Sequence, residues 1–561
     1  MKQTLLVSGI AAIFATSMSF GEVSAATTTS QGGIVEALPA LTDINWYLPL
    51  RPNSTNTVYN AWASSLMYQD LLNIGPNGKF DFSQSVAKSV QWNSKGTVYT
   101  VQLNPKWHWS NGKPVTANDV EFTWNLIKAA SSPKAPAPWP YAGADTGGVP
   151  NMIKSFKVVN SYEFQITLNQ SVNQQWFEYN GLTDFVPLPE ASWNKYPNDV
   201  NKELSYLASN ANNPKFFTVI DGPFEMSSVV PNVSWKFVPN PKYDGHKASI
   251  TSFTLAYETS DSAEVSALRT GTVQIGYLPS YMYASRSQLS GTDTLIPSYS
   301  FAMAVTRLDF KNPKLGKIFD ELPVRQALQM GIDQNSIIKD LYNGMAVPGT
   351  GPVPQKPSTF LAPQLKSPLY KFNPAAGKAL LEKNGWHEVN GVMTNAKGQQ
   401  LAFVDQYPSG NTTTAALVQL LQQDWAKEGI KVTLQPLPFA TLVQYHQNPA
   451  QWEVQTGISW NYGGSYPSGD GIYQTNGGYN FFGYSNAHMD QLIKATLQPH
   501  ATAAEAQKDL DAYQIYAAQQ LPNLWMPLAA SLTEISKSLH GYEQAVNSFT
   551  GGISPEFWTI S

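Results

Sequence analysis

The 561-residue sequence contains no cysteine and has few charged residues. Without cysteine the chain has no disulfide, no thiolate metal site and no cysteine to carry a lipid. Charged residues make up 14% of the chain, against about 25% in typical soluble proteins, and the formal net charge is -4. Such a chain lacks the basic field that attracts nucleic acid or anionic membranes. Small polar molecules remain open as ligands.

Long hydrophobic runs are also lacking, except at the N-terminus. Lys2 is followed by the apolar run LLVSGIAAIFATSMSF, and Val23 and Ala25 suit the small-residue positions of a secretory cleavage site. We therefore predict that residues 1–25 are a signal peptide and that the remaining chain is exported, to a periplasmic space or to the cell surface. The alternative, a membrane anchor, needs about 20 continuous apolar residues, and serines and threonines interrupt this run. Because no cysteine can carry a lipid, any tether must be a partner.

The chain is too long for a single hydrophobic core. Single cores stop growing at roughly 250 to 300 residues, so this length predicts two or more lobes. No repeat of fixed period and no long charge run is present. Two stretches rich in proline and glycine, residues 131–140 and 346–357, are bounded by structured patterns. We therefore predict that both are surface loops and not domain linkers.

An early segment predicts a strand, a tight turn and a helix. Apolar side chains alternate along residues 97–103, which is typical of a half-buried strand. Thr116 and Asp119 then match a capping box, in which each side chain accepts a hydrogen bond from the other residue's backbone amide. Trp107 and Trp109 lie between the two elements. We expect them to form core between strand and helix and not a binding platform.

Later segments predict mixed α/β lobes. Residues 401–404 read as a short strand, an apolar stripe over 417–425 predicts a helix, and residues 430–434 read as the next strand. Together they form one βαβ unit. Further helices are predicted after Asn373, which has the side chain of an N-cap, and near Pro323.

Motifs of enzymes and of cofactor sites are lacking. The segment GYSNA at 483–487 has alanine where a nucleophile elbow needs its second glycine, and Asn486 is typical of a helix cap. The segment GMAVPGT at 344–350 lacks the lysine of a phosphate-binding loop, and the seven histidines show no metal-ligand spacing. We predict no catalytic residue, no metal site and no cofactor. Carboxylate pairs for glycoside hydrolysis stay open, because their spacing is tertiary.

Six segments occur in an order that resembles a known family. They are YTVQLNPKWHWSNGKPVTANDVEFTW (99–124), DGPFEMSSVVPNVSWKFVPNPKYDG (221–245), VRQALQMGIDQNSIIKDLYNGMAVPGTGPVP (324–354), NPAAGKALLEKNGW (373–386), LQQDWAKEGIKV (421–432) and GYSNAHMDQLIKA (483–495). In that order they resemble the family 5 extracellular solute-binding proteins, the oligopeptide- and dipeptide-binding proteins of ABC importers. The resemblance covers nearly all of the chain after the predicted signal peptide.

The resemblance implies an α/β fold with two lobes: a class II periplasmic-binding-protein-like clamp with an extra small subdomain in its first lobe. Chain crossings placed near 297 and 525 give a first lobe of residues 26–296 plus 526–561 and a second lobe of residues 297–525. The small subdomain covers about 76–214, so the strand-turn-helix segment is scaffold. A peptide is expected to be enclosed by hinge motion and delivered to an ABC transporter permease, without catalysis, by a monomer.

The segment SWNYGGSYPSGDGIYQ, residues 459–474, is the first candidate ligand site. Its glycines allow the backbone to approach a ligand closely. Trp460, Tyr462 and Tyr466 provide flat apolar faces with polar tips, and Asn461 lies among them. The alternative is an ordinary glycine-rich surface loop.

Ser465 departs from the family pattern. Oligopeptide binders carry here a segment similar to DYxDP or DYxEP, whose first Asp pairs with the α-amino group of the peptide. Because an unpaired buried ammonium is costly, either Asp470 replaces that carboxylate or the ligand has no free amine at this place. A peptide is the leading expectation. An oligosaccharide suits aromatic faces with few charges, metal chelates and opines are other solutes of the family, and a secreted hydrolase is the remote alternative.

Two further candidates lie outside this segment. Trp46 and Tyr47 occupy the stretch that in the family runs from the first strand into the cleft, and core packing of Trp46 is the alternative. Arg307 follows the first predicted crossing. Its guanidinium can bind a ligand carboxylate through two parallel hydrogen bonds, and a surface salt bridge is the alternative.

Overall fold

The computed structural model of the protein describes most of the chain. The described residues are 32–38, 43–278, 280–289, 293–446, 448–542 and 547–561. The predicted signal peptide, residues 1–25, lies outside them.

A seven-stranded sheet forms the centre of the first lobe. In spatial order its strands are Asp293–Ser298, Ser531–Ser536, Ile275–Tyr277, Gly33–Ala37, Ser252–Ala256, Ser234–Pro239 and Phe224–Val230. Gly33–Ala37 runs parallel to both of its neighbours, and all five of its residues are buried. A strand buried on both faces is normally apolar throughout. Glu36 is the exception, and burial raises the pKa of its carboxyl to about 8.

A five-stranded sheet forms the centre of the second lobe. In spatial order its strands are Lys431–Leu437, Ala402–Pro408, Val454–Asn461, Ala302–Leu308 and Leu524–Met526. Ala402–Pro408 and Lys431–Leu437 pair in parallel and are joined by helix Thr412–Ala426, so the predicted βαβ unit is confirmed. The helix buries Trp425, whose Nε1 donates to the carbonyl oxygen of Leu328 at 2.8 Å.

The chain passes between these two sheets twice. It goes from the first sheet to the second between Ser298 and Ala302, and it returns between Met526 and Ser531. Two short connections of this kind are the geometry that a hinge requires, because a few residues can absorb the rotation of one lobe against the other.

The prediction of a surface loop at residues 346–357 is wrong. Ala346–Val347 pairs with Leu528–Ala529 on the return connection, and the residues that follow are largely buried. At Gly349 a Cβ atom would lie 2.3 Å from the carbonyl oxygen of Met526. The glycines and prolines of this stretch therefore allow it to pack closely against the return connection, and the stretch is not a solvent-exposed loop.

A separate four-stranded antiparallel sheet belongs to the small subdomain. Its strands are, in spatial order, Ala87–Trp92, Val98–Leu103, Glu163–Leu168 and Ile153–Asn160. The predicted alternation is confirmed, since the apolar side chains of Val98–Leu103 are the more buried ones. The capping box of Thr116 and Asp119 is present at the start of the next helix. Trp107 and Trp109 are 0% and 3% exposed, so the prediction that they are core is confirmed.

Helices surround the three sheets. The α-helices of nine or more residues are Val58–Met67, Ala117–Ala130, Val200–Asn210, Asp261–Thr270, Leu322–Met330, Pro374–Lys383, Thr412–Ala426, Ala487–Thr496 and Ala503–Gln520. Shorter α-helices are Gln174–Asn180, Glu190–Trp193, Gly316–Phe319, Gln334–Ser336 and Phe439–Tyr445. The helices predicted near Pro323 and Asn373 are confirmed, and so is the cap at Asn486, whose side chain accepts from the amide of Met489.

The remaining elements are short. A three-residue ladder pairs His387–Val389 with Val392–Thr394, and a two-residue ladder pairs Leu539–His540 with Thr559–Ile560. Single 3-10 turns are Asn53–Thr55, Thr146–Gly148, Leu182–Asp184, Pro214–Phe216, Pro363–Leu365, Pro449–Gln451 and Pro555–Phe557, Ser280–Gln288 is a longer 3-10 helix, and Ile337–Leu341 is a π-helical turn. The loop at 131–140 lies at the surface, as predicted, with Trp139 as its one buried residue. Within the described ranges, no helix combines the length and the apolar character needed to cross a membrane.

The capping box gives a first testable prediction. Replacing Thr116 with alanine is expected to lower the free energy of unfolding by about 0.5 to 2 kcal/mol, because a first-turn amide of the helix loses its acceptor. Thr412→Ala is the matched control, since Thr412 is an exposed residue just inside a helix start and does not cap it. Urea unfolding followed by circular dichroism measures both. Equal loss in the two variants would contradict the role of Thr116.

Candidate functional site

A cavity of about 770 Å³ lies where the two lobes meet. Its walls come from the chain around the end of helix Val58–Met67, from residues 179–184 within the predicted small subdomain, and from the C-terminal stretch 547–557. The second lobe contributes Gly463, Gly464 and Ser465, which follow the strand that ends at Asn461. The volume falls within the range of roughly 300 to 1,000 Å³ that is typical of ligand sites.

Two glycines shape the wall that the second lobe provides. Gly463 and Gly464 have φ values of 59° and 91°, so both lie in the left-handed region that favours glycine. A Cβ atom on Gly464 would lie 3.4 Å from Cγ2 of Thr550, in the first lobe. A Cβ atom on Gly463 would meet nothing within 4 Å. The turn therefore presents bare backbone to the cavity and close to the opposite lobe.

The residues after this turn are fixed to the surrounding protein. The amide of Tyr466 donates to Oδ1 of Asn180 at 2.7 Å, which joins the second lobe to the predicted small subdomain of the first lobe. The hydroxyl of Tyr462 donates to the carbonyl oxygen of Pro352. Tyr462 and Tyr466 are 8% and 2% exposed. The alternative interpretation of residues 459–474 as an ordinary surface loop is therefore wrong.

Three carboxylates on the cavity wall have perturbed acidities. Burial raises the pKa of Asp184 and of Glu556 to about 7, and that of Asp70 to about 6. Arg51 lowers the pKa of both aspartates, and Tyr141 also lowers that of Asp184, but burial outweighs these effects. At neutral pH the cavity wall therefore carries partial negative charge that water solvates poorly.

Arg51 does not line the cavity, and its charge offsets only part of the effect of burial on the two aspartates. Its Nη1 donates to Oγ of Ser64 at 3.2 Å, and its Nε donates to Oδ1 of Asn56 at 3.4 Å. Burial lowers the pKa of the guanidinium, although nearby acids raise it. Among the described residues, neither Asp70 nor Asp184 forms an ion pair with it within 4.0 Å.

The predicted site residues of the glycine-rich segment are only partly brought to the cavity. Ser465 lines it, whereas Trp460, Asn461, Tyr462, Tyr466 and Asp470 do not. The ring of Trp460 packs edge-on against Tyr479, with the centroids 4.6 Å apart, and Asn461 accepts a hydrogen bond from the amide of Gly463. Asp470 accepts from Oγ of Ser468 at 2.7 Å. Its role as an amine anchor stays a prediction.

The other three predicted residues also lie off the cavity wall. Trp46 is a buried core residue, and its Nε1 donates to the carbonyl oxygen of Leu50 at 2.8 Å. Tyr47 is buried against the ring of Phe217. Arg307 is 6% exposed, stacks on Phe481 and forms no ion pair with any described residue, so the alternative of a surface salt bridge is wrong. Ligand contact by Arg307 stays a prediction.

The sequence did not reveal the carboxylates of the cavity. Asp70, Asp184 and Glu556 are far apart along the chain, and none of them has another charged residue within five positions. In a chain with only 14% charged residues, an isolated carboxylate within an apolar stretch is the one local signal that could have marked them. No periodicity or motif connects the three.

The described residues contain no group of three or more histidine, aspartate and glutamate side chains that could hold a metal ion.

Two lobes, each built on its own sheet and joined by two short crossings, enclose a polar cavity between them. This architecture defines a solute-binding protein of the clamp type. The description "Bacterial extracellular solute-binding proteins, family 5 Middle" matches residues 81–483, and the chain belongs to this family. The resemblance found in the sequence is thereby confirmed.

Relatives with known names agree with this assignment. The oligopeptide-binding protein AppA of Bacillus subtilis (strain 168) is 23% identical over 422 residues, which cover 74% of this chain and 73% of AppA. The structure of AppA from Bacillus subtilis in complex with a nonapeptide has a TM-score of 0.68 at 19% identity and covers 94% of this chain and 99% of its own. NikZ from Campylobacter jejuni, in complex with Ni(L-His), has a TM-score of 0.69 at 18% identity, with coverages of 94% and 100%. These likenesses confirm the predicted two-lobed α/β clamp.

Proposed function

We propose that the protein captures a peptide between its two lobes outside the cytoplasm and delivers it to the membrane permease of an ABC importer. Membership of an extracellular solute-binding family supports the capture of a solute. The peptide class is supported by AppA, whose name and complex specify an oligopeptide. Binding and release without turnover is the role that such a clamp performs, so the protein is not expected to be an enzyme.

The observation that carries this proposal is the cavity of about 770 Å³ with walls from both lobes. A solute in this cavity contacts the first lobe and the Gly463–Ser465 turn at the same time. Because those contacts exist only when the lobes are together, the solute shifts the equilibrium towards the closed arrangement by its differential affinity. The permease can then distinguish loaded protein from empty protein by shape.

The division of the chain is part of the proposal. We assign residues 26–296 plus 526–561 to the first lobe, about 76–214 to its small subdomain, and 297–525 to the second lobe. The two passages between the central sheets, which lie within a few residues of these bounds, support the division. We further propose that the protein is exported and acts as a monomer.

An oligosaccharide is the competing class of solute. Its recognition would use the aromatic faces of Trp460, Tyr462 and Tyr466. The rings of both tyrosines are buried, and none of the three side chains lines the cavity. This placement favours a peptide over a sugar.

The test is ligand-linked stability and closure. Titration with a pool of short peptides is expected to yield a binder that raises the free energy of unfolding by about 2.7 kcal/mol at a hundredfold excess over its Kd. Small-angle X-ray scattering of the same complex is expected to give a smaller radius of gyration, because the lobes close on the solute. Calorimetry measures the stability.

A pool of oligosaccharides at the same concentrations is the control, and it is expected to leave both quantities unchanged. Native mass spectrometry of the purified protein adds a direct identification, since a solute retained from the host appears as extra mass. If sugars bind and peptides do not, the peptide class is wrong. If a confirmed ligand changes neither stability nor shape, the clamp mechanism is wrong.

A further inference from the structure

The charged residues that line the cavity are all acidic. Asp70, Asp81, Asp184 and Glu556 contribute to its wall, and no lysine, arginine or histidine is among the described lining residues. Asp81 is already engaged, because its Oδ1 accepts from the amide and the hydroxyl of Ser83. The other three carboxylates form no ion pair within 4.0 Å with any described residue. The cavity therefore has an acidic wall that no basic side chain lines.

Two of these carboxyl groups have an oxygen without a partner. Glu556 is 8% exposed, and no described group forms a hydrogen bond with its buried Oε2. Asp184 is only partly buried and its carboxyl interacts with the hydroxyl of Tyr141, but its buried Oδ2 also has no hydrogen-bond partner among the described residues. A buried polar atom without a partner costs roughly 1 to 3 kcal/mol, and more when it is charged, so native proteins seldom retain one without a reason. A cation bound in the cavity beside these carboxyl groups lowers that cost through its charge.

The geometry distinguishes an organic cation from a metal ion. Among the described residues, no three carboxylate or histidine side chains come together closely enough to hold one metal ion. The carboxylates are instead distributed over a wall of a cavity large enough for several residues of a peptide. An ammonium or guanidinium group carries its donors on a larger frame and is matched by separated acceptors.

We propose that this cavity is a cation subsite, in which Asp184 and Glu556 bind an ammonium or guanidinium group of a basic peptide. The subsite rests on the proposed function, and it adds a preference for positive charge to it. Asp70 lies on the same wall, and its negative charge strengthens the field. The subsite lies in the first lobe, apart from the second-lobe segment that contains Asp470.

Two groups on a peptide can supply the cation: its α-amine and a lysine or arginine side chain. The probes are therefore pentapeptides of alanine with a central lysine, norleucine or glutamate, each with a free and with an acetylated N-terminus. Norleucine retains the aliphatic chain of lysine without its charge. Isothermal titration calorimetry of the full exported chain measures their Kd values.

The lysine peptides are expected to bind at least about tenfold more tightly than the norleucine peptides, and the glutamate peptides more weakly still, because paired charges in a desolvated site couple strongly. If acetylation leaves the lysine preference intact, the side chain occupies the subsite. If acetylation of the norleucine peptide abolishes its binding, the α-amine occupies it. Equal affinity across all six probes overturns the cation subsite but leaves the peptide-binding function standing, whereas no binding of any peptide refutes that function itself.

Variants assign the cation to its acceptors. Asp184→Asn and Glu556→Gln preserve shape and remove charge, so each is expected to reduce the lysine-to-norleucine preference by about tenfold or more. Glu382→Gln removes an exposed carboxylate of the second lobe and serves as the matched control for net charge, with no expected change. Melting temperatures of all variants verify folding. If Asp470→Asn abolishes the preference while Asp184→Asn and Glu556→Gln retain it, the subsite is wrongly placed.

Discussion

Replacing Trp107 with alanine is expected to lower the free energy of unfolding by about 3 to 5 kcal/mol. The indole is fully buried, and its Nε1 donates to the carbonyl oxygen of Ser85 at 2.7 Å. Its ring also packs against Tyr243, with the centroids 5.7 Å apart. The variant leaves a cavity between the small subdomain and the rest of the first lobe, and it leaves the buried carbonyl of Ser85 without a donor.

Differential scanning calorimetry is the suitable measurement, because a chain of this size need not unfold in a single step and the affected transition must be identified. Trp92→Ala is the matched control. Trp92 lies on the edge strand of the same small sheet and is 43% exposed, so its loss is expected to cost less than about 1 kcal/mol. Equal shifts for the two variants would show that Trp107 is not a core residue of this unit.

The parts of the fold that the sequence predicted depend on neighbours in the chain. The capping box needs two residues three apart, and the βαβ unit needs a strand pattern on either side of an apolar helical stripe. Both were found as predicted, at Thr116 and at Ala402–Leu437. Contacts between residues that are close in the sequence stabilise both elements, so both can be predicted without knowing the tertiary structure.

The prediction for residues 346–357 was wrong because the segment that packs against them is distant in the sequence. Proline and glycine are compatible both with an exposed turn and with an irregular segment that packs closely against another part of the chain. Here the partner is the return crossing near Met526, about 180 residues further along the chain, and no local pattern reports it. Composition predicted the irregular backbone but not its burial.

The candidate site was predicted only at its second-lobe edge. Ser465 follows two glycines that bring bare backbone to the cavity, and such a turn can be found in the sequence. The carboxylates of Asp70, Asp184 and Glu556 could not be found, because the first lobe is assembled from both ends of the chain. Four of the aromatic side chains that seemed suited to a ligand are buried, namely Trp46, Tyr47, Tyr462 and Tyr466, whereas Trp460 is partly exposed.

Burial makes these carboxylates titrate near neutral pH, and the charge of Arg51 only partly offsets it at the two aspartates. In the absence of a ligand their ionised forms are poorly solvated, so the proton is held more tightly than in water. A bound cation reverses this effect, because its charge stabilises the carboxylate and lowers the pKa again. Proton binding and cation binding therefore compete at Asp184 and Glu556, so protonation of these carboxylates weakens cation binding.

Affinity for a lysine peptide is expected to fall as the pH falls. Asp184 and Glu556 both have a pKa raised to about 7 by burial, so below that pH they are neutral and offer no charge to the peptide. Between about pH 8 and about pH 6, the Kd is expected to rise about tenfold for each carboxylate that contacts the cation. Asp70, with a pKa of about 6, extends the loss to lower pH. Arg51 stays positively charged throughout and adds no step.

The probe for this measurement is the acetylated alanine pentapeptide with a central lysine, because a lysine side chain titrates at about 10.4 and keeps its charge over the whole range, whereas a free α-amine does not. Calorimetric titrations at several pH values give the profile. The acetylated norleucine peptide is the control for general effects of pH on the clamp, and its Kd is expected to stay level. In the double variant Asp184→Asn, Glu556→Gln the lysine profile is expected to become as level as that of the norleucine control. A lysine profile that is level in the unmodified protein would mean that neither carboxylate contacts the cation.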